Sequence, residues 1–327
     1  MKKYLNILAL TVGASLVGAV SAQAQLFGYD GYNYSTGLGT ISGQSSGSGD
    51  WKYPWFDKLN GGVSGATVQS GSMSYSTLPT TGNSVSQTGA PGTAYDQIGL
   101  NSTFGAYANS YNTTAPGQLW MSYLWESGNF GNLSVNGNNL FRQANLGFFI
   151  TGTAGGGGTE YLDIGMPNIS DANAATVNPN ISLWYGGHGL AGQTGSSTAP
   201  NVQSSVAADN ANVDFIVIEM LLDNTTTTAD TINVWINPTL GTDVTTLTPD
   251  MTYSLQDLSK IDSVRFQSGN NNTTYGGYGM QNFDELRIGT DMTSVETLTS
   301  ATLVPEPVSI ALLGFGGLGL LLFRRKR

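Results

Sequence analysis

Apolar positions in this chain come in short runs, and most runs alternate with polar ones. The clearest case is Asp230-Thr-Ile-Asn-Val-Trp-Ile-Asn-Pro238. Ile232, Val234 and Ile236 share one face of an extended segment, with Asn233, Trp235 and Asn237 on the other. Val213–Leu222 is a longer apolar run and reads as a central strand. Gln118–Trp125, Leu146–Ile150, Thr159–Ile164, Ile181–Tyr185 and Ile261–Phe266 read as further strands. Clusters of Gly, Asn, Ser and Thr separate them, which is the punctuation of an all-β chain. Helical periodicity is scarce, and only Leu255–Lys260 reads as a short helix. Ser42–Gly49 and Gly155–Gly158 read as loops. The latter lacks the lysine and following helix of a phosphate-binding loop.

Both ends break this pattern. Residues 1–24 have the three parts of a secretory signal: Lys2 and Lys3, an apolar Leu5–Val20, and Ala22-Gln23-Ala24 as the cleavage signal. Gln25 is then the expected mature N-terminus, delivered by the Sec machinery and cut by signal peptidase. At the other end Val308–Phe323 is almost wholly apolar and is followed at once by Arg324, Arg325, Lys326 and Arg327. At about 1.5 Å per residue this run spans roughly 24 Å, short for a bilayer but workable with snorkelling. The basic cluster places the terminus in the cytoplasm and the preceding domain outside. Before the run stands Val304-Pro305-Glu306-Pro307. Its two prolines exclude helix and hold the segment extended at the membrane face.

Composition narrows the reading. The chain has 327 residues and no cysteine, so disulfides, thiolate metal sites and cysteine nucleophiles are excluded. Aromatic content of 10% argues for a packed core over disorder. Without the six terminal cations and Glu306, 6 basic residues face 21 acidic ones, a net charge of −15 for the middle of the chain. Such a surface repels phosphate backbones, so no nucleic-acid partner is expected.

Residues 304–327 resemble the PEP-CTERM sorting signal of Gram-negative bacteria, with its order of Pro-Glu-Pro, apolar helix and Arg-rich end. The resemblance implies an exosortase-type processing enzyme as partner and transient anchoring in the inner membrane, followed by cell-surface or extracellular placement. Glu306 is then a recognition element. The middle resembles laminin-G-like, concanavalin-type jelly rolls through Phe27–Tyr34, Trp120-Met-Ser-Tyr123, Ile232–Pro238 and Asn282-Phe-Asp-Glu-Leu-Arg-Ile-Gly-Thr290. It implies an all-β, two-sheet antiparallel sandwich over 25–303, in which the last motif is a closing strand beside the N-terminal strand. The expected division is a signal peptide at 1–24, that domain, and a sorting tail at 304–327 with a transmembrane helix at 308–323.

Catalytic patterns are sparse. Concanavalin-type glycosidases set closely spaced carboxylates on one strand, in the pattern Glu-x-Asp-x-x-Glu, and that spacing does not occur. Glu219 and Asp223 read as a strand end. Asp284 and Glu285 are adjacent and should face opposite sides, with Glu285 pairing to Arg287 on its own face. His188 is the only histidine, in a glycine loop, too little for a transition-metal site. No cofactor is expected, though Asp163, Asp209 and Asp214 are candidates for calcium. Trp51, Trp55, Trp184 and Tyr185 are the candidates for stacking on sugar rings, against a reading of core packing for each. The leading expectation is therefore a non-enzymatic surface or matrix protein without catalytic residues. The alternatives are a carbohydrate-binding module for exopolysaccharide or host glycans, and a glycan-cleaving enzyme with an atypical site. Glycan binding that depends on Trp51 or Trp184 separates the second from the first, and turnover that depends on one carboxylate separates the third.

Overall fold

The computed structural model describes residues 26–36, 40–45, 51–59, 66–88, 92–111, 117–127, 134–135, 138–139, 144–153, 157–167, 180–185, 201–208, 212–223, 229–255, 258–270 and 280–296. In chain order the elements are β1 (Leu26–Asp30), β2 (Trp51–Leu59), β3 (Thr67–Gln69), β4 (Ser84–Thr88), β5 (Gly92–Leu100), α1 (Phe104–Tyr111), β6 (Gly117–Ser127), β7 (Ser134–Val135) and β8 (Asn138–Asn139). They continue with β9 (Ala144–Thr153), β10 (Gly157–Met166), β11 (Asn180–Tyr185), β12 (Val202–Ala207), β13 (Asp214–Leu222), β14 (Asp230–Ile236), β15 (Met251–Leu255), β16 (Ile261–Asn270), β17 (Met280–Gly289) and α2 (Met292–Glu296).

Two antiparallel sheets pack face to face. The first runs β15-β14-β13-β6-β17-β4-β3, with β1 also paired to β17, and the second runs β12-β11-β10-β9-β16-β5-β2. This is a jelly-roll-like sandwich: the alternation predicts its strands, and the two-sheet arrangement is the one that the concanavalin-type resemblance implies. The sequence-read strands all appear, and β13 sits inside its sheet between β14 and β6. The closing strand appears as well: β17 pairs antiparallel with β1, Tyr29 opposite Arg287 and Asp30 opposite Leu286. The expected helix at Leu255–Lys260 is corrected to the end of β15 and a 3₁₀ turn over Leu258–Lys260. Helix α1 carries no strong sequence signal. It forms where Phe104 and Tyr107 bury against the core, with Tyr107 stacked on Phe27 at 4.6 Å.

The main core lies between the sheets. Ile232, Val234 and Ile236 point into it, as their spacing requires. Phe266 of β16 and Phe283 of β17 stack across the interface at 3.8 Å, flanked by Trp55 and Tyr123. A buried polar thread also joins the sheets. Gln87 donates to Asp96 at 2.5 Å, Ser268 and Gln281 donate to the Gln87 carbonyl at 2.6 and 2.7 Å, and Trp125 donates to Gln281 at 2.8 Å. Each satisfied polar group offsets its own desolvation and fixes the register of the two sheets.

The outer face of the first sheet is covered too. A second apolar cluster holds Trp120, Leu124, Phe215, Val217 and Trp235 under Met73 and Leu78 of the segment between β3 and β4. Trp235, on the polar side of its strand by alternation, is stacked on Trp120 at 5.9 Å.

Candidate functional site

The second sheet's outward face is polar but withdrawn from water. Ala144, Leu146 and Phe148 of β9 point into the core, so Asn145, Gly147 and Phe149 point outward. By the same alternation β16 presents Ser263, Arg265 and Gln267, and β5 presents Tyr95, Gln97 and Gly99. Tyr95, Phe149 and Trp184 are at least 94% buried yet belong to neither apolar cluster.

Arg265 organises one half of this face. Its guanidinium lies 4.1 Å from the Tyr95 ring centre and 3.7 Å from that of Phe149. Its Nε and Nη2 donate to the Gln97 carbonyl at 3.0 and 2.6 Å. The Gln97 amide donates in turn to the Tyr53 hydroxyl at 2.9 Å. Gly99 makes room for that tyrosine, because a Cβ there would stand 2.3 Å from the Tyr53 ring. Burial raises the Tyr53 pKa, while hydrogen bonds from Gln97 and Ser263 oppose the rise. Burial also lowers the Arg265 pKa against the pull of nearby Tyr95 and the acids Glu160 and Asp163.

A carboxyl pair organises the other half. Glu160 and Asp163 are three residues apart, so a regular strand would aim them to opposite faces. A register irregularity between Glu160 and Leu162, where β10 pairs with β9, adds one residue and turns both outward. Gln267 Nε2 donates to Glu160 at 2.7 Å and to Asp163 Oδ1 at 3.5 Å. Asn145 donates to Asp163 Oδ1 at 2.5 Å. Gly147, opposite Asp163, leaves the space this carboxyl occupies: a Cβ there would meet Asp163 Oδ1 at 2.7 Å. Asp163 is fully buried, and burial followed by the charge of Glu160 raises its pKa well above the carboxylate range.

Sequence reasoning named Asp163 only for calcium and did not pair it with Glu160. It also passed over Gln97, Asn145, Arg265 and Gln267. The available signal was the polar series Ser263-x-Arg265-x-Gln267 alternating with the apolar Val264 and Phe266.

The ring candidates divide. Trp55 is 1% exposed, lies in the core and donates to Asp30 at 2.7 Å. Tyr185 is also core, edge-on to Tyr161. Neither presents a face for a sugar, which corrects both. Trp184, paired opposite Asp163, borders the polar face but is buried. Trp51 is half-buried at the start of β2, its ring against Gly28. Asp214 is buried and accepts from Asn237 at 2.6 Å. Glu219 accepts from Asn233 at 2.9 Å and from Gln118. Among the described residues no three His, Cys, Asp or Glu are grouped to hold a metal ion. Asp209, His188, Ala22, Ala24, Gln25, Val304–Pro307, the 308–323 run and Arg324–Arg327 lie outside the described residues. No described helix is long and apolar enough to cross a membrane.

The Asp284–Glu285 reading is corrected in part. Glu285 pairs with Arg287 at 2.6 Å, as expected. Yet Glu285 has φ +54° at a bulge between β17 and β6, and both acids bind the same covering segment. Asp284 accepts from Ser72 at 2.6 Å and from the Met73 N–H at 2.8 Å, while Glu285 accepts from the Thr81 N–H at 2.5 Å.

No family model matches this sequence, and no curated protein does. Among solved structures it is similar to an endo-β-1,4-glucuronan lyase from the fungus Trichoderma reesei, with 14% identity, 78% of this chain and 96% of that chain covered, and a TM-score of 0.42. It is also similar to the alginate lyase Aly36B, with 12% identity, 64% and 81% covered, and a TM-score of 0.36. A third is the carbohydrate recognition domain of Emp46p in its potassium-bound form, with 9% identity, 72% and 87% covered, and a TM-score of 0.32. The expectation of a chain that is not an enzyme is corrected accordingly, since a glucuronan lyase and an alginate lyase are among the structures it is similar to.

Proposed function

We propose that this chain is a carbohydrate-directed sandwich whose glycan site is the outward face of the second sheet. The observation that carries this reading is the set of hydrogen-bonding side chains gathered there from five strands: Tyr53, Gln97, Asn145, Glu160, Asp163, Arg265 and Gln267. Amides, carboxyls and a guanidinium beside aromatic rings are what a polyhydroxylated ring with apolar faces requires. Tyr53 is half-buried, and Gln97 links its phenol to the cation, so it is the group placed for proton transfer if the site cuts what it binds.

Titration of the full chain against neutral and uronate-bearing polysaccharides tests the reading. Arg265→Ala and Gln97→Ala, with unchanged circular dichroism, are expected to weaken binding by roughly tenfold or more, in line with losing a charge-assisted hydrogen bond. Binding equal to the parent in both variants, or no binding of any polysaccharide, would sink it. The same incubations report chemistry: new reducing ends alone signal hydrolysis, and ultraviolet absorbance from a new C=C bond signals elimination.

Export by residues 1–24 and sorting by Val304–Pro307 complete the proposal, with an exosortase-type enzyme as partner and the domain outside the inner membrane. Mass spectrometry of the surface-located protein is expected to find a C-terminus near Pro305–Pro307. A surface form ending at Arg327 would overturn that sorting step.

A further inference from the structure

The polar face contains an imbalance that its hydrogen bonds do not resolve. Two carboxyls, Glu160 and Asp163, are brought together by the β10 bulge and share one amide donor, Gln267 Nε2. Asp163 Oδ1 has Asn145 and Gln267 as donors. Asp163 Oδ2 is buried and has no donor. The Glu160 carboxyl is bound to the same Gln267 amide, and its charge acts on Asp163.

Two ionised carboxylates cannot share such a place without a cation between them. The guanidinium on this face, Arg265, is sandwiched between two rings and directs Nε and Nη2 at Gln97. From the other elements packed here, β9 offers Asn145 and Phe149, and β11 offers Trp184. None of these titrates. Tyr95 on β5 and Tyr53 on β2 lie beyond Arg265, and Asp262 lies beyond them, bonded to Ser263 and Gly152. Among the described side chains, Arg265 is the cation whose charge acts on both acids, so one positive charge answers two carboxyls, and a proton can supply the balance.

We propose that Glu160 and Asp163 hold one proton between them and that this proton gates the glycan face. While it is bound, the pair carries one negative charge beside the one positive charge of Arg265, and the β10 bulge closes over a carboxyl–carboxylate hydrogen bond. When it leaves, two like charges repel across that bond and a second negative charge faces whatever lies on Arg265. An acidic sugar is repelled most, and a neutral one loses only the local geometry. The rise that burial and Glu160 impose on Asp163 agrees in direction. This gate rests on the glycan reading above, whereas the shared proton can be measured with no glycan present.

The shared proton is therefore tested first, by infrared difference spectroscopy on the full chain at about pH 7, parent minus Asp163→Asn. The protonated-carboxyl C=O band is expected in the parent and lost in the variant. Absence of such a band overturns the proposal, whatever binds. The gate is then tested by binding of polygalacturonate and of a neutral glucan at about pH 6 and about pH 9. Whichever glycan binds is expected to bind roughly tenfold more weakly at the higher pH, more steeply for polygalacturonate, with less than about a twofold change in Asp163→Asn. A band present with pH-independent binding overturns the gate and leaves the glycan site standing. No binding of either glycan at either pH overturns the glycan reading and the gate with it. Should Asp163→Asn fail to fold, Glu160→Gln at the half-exposed position serves instead. It removes the charge that opposes Asp163 ionisation, so the binding step is expected to move to lower pH. An unmoved step overturns the pairing.

Discussion

At the scale of single residues, this protein repeatedly stabilises a buried charge by surrounding it. Arg287 is fully buried, pairs with Glu285 at 2.6 Å, and donates to the carbonyls of Pro79 at 2.5 Å and Val295 at 3.3 Å. Glu285 in turn accepts from Thr81 and from Tyr29. Removing one member strands the other. Glu285→Ala is expected to cost about 3–5 kcal/mol, because the guanidinium stays buried without its counter-charge. Chemical denaturation read by tryptophan fluorescence checks this, and a loss under about 1 kcal/mol would mean that Arg287 reaches solvent. The pair was legible in the sequence, since i and i+2 share a strand face. The covering segment that completes it was not, because Thr81 and Pro79 lie about two hundred positions away along the chain.

At the scale of elements, irregularities in the strands decide where chemistry goes. The bulge in β10 puts Glu160 and Asp163 on one face, and the bulge in β17 directs Asp284 and Glu285 to one covering segment. Both contradict simple alternation, and each gathers two acids. In β2 the register shifts twice, between Trp51 and Tyr53 and again between Tyr53 and Phe56. By parity Tyr53 and Trp55 should share a face. Instead Tyr53 joins the polar face and Trp55 enters the core, where Asp30 accepts its N–H. The aromatic cluster in this stretch was visible in the sequence as a place for sugar stacking. Which ring stayed outside depended on how β2 pairs with β5.

At the scale of the whole molecule, burial raises several acids together. Asp30 is pushed up to about 6 by burial, against hydrogen bonds from Tyr34, Trp55 and Tyr32. Asp284 is pushed up to about 8, again mainly by burial, with hydrogen bonds from Ser72 and Met73 opposing. Glu296 rises to about 6 for the same reason. The folded chain thus keeps protons that the unfolded chain gives up near pH 4. Its stability contribution from these groups is full below that pH and declines as pH rises through their folded values, to about pH 8. For Asp30 alone the loss is on the order of 3 kcal/mol. The melting temperature is therefore expected to be several degrees higher near pH 5 than near pH 9. Calorimetry across that range checks the sign, and a midpoint that climbs toward pH 9 would refute it.

The resemblance to laminin-G-like jelly rolls implied the closing role of Phe283-Asp-Glu-Leu-Arg-Ile288, and the sequence by itself determined the all-β class and the strands from Gln118–Trp125 through Ile261–Phe266. These are local properties: apolar alternation selects extended chain wherever one face is to be buried. Only the tertiary structure decided which polar residues meet. A strand's facing direction is fixed by its pairing partner's register, and one inserted residue reverses it for everything beyond. Glu160, Asp163, Gln97, Arg265 and Gln267 are therefore ordinary in sequence and become a site only where β10, β9, β16 and β5 lie side by side.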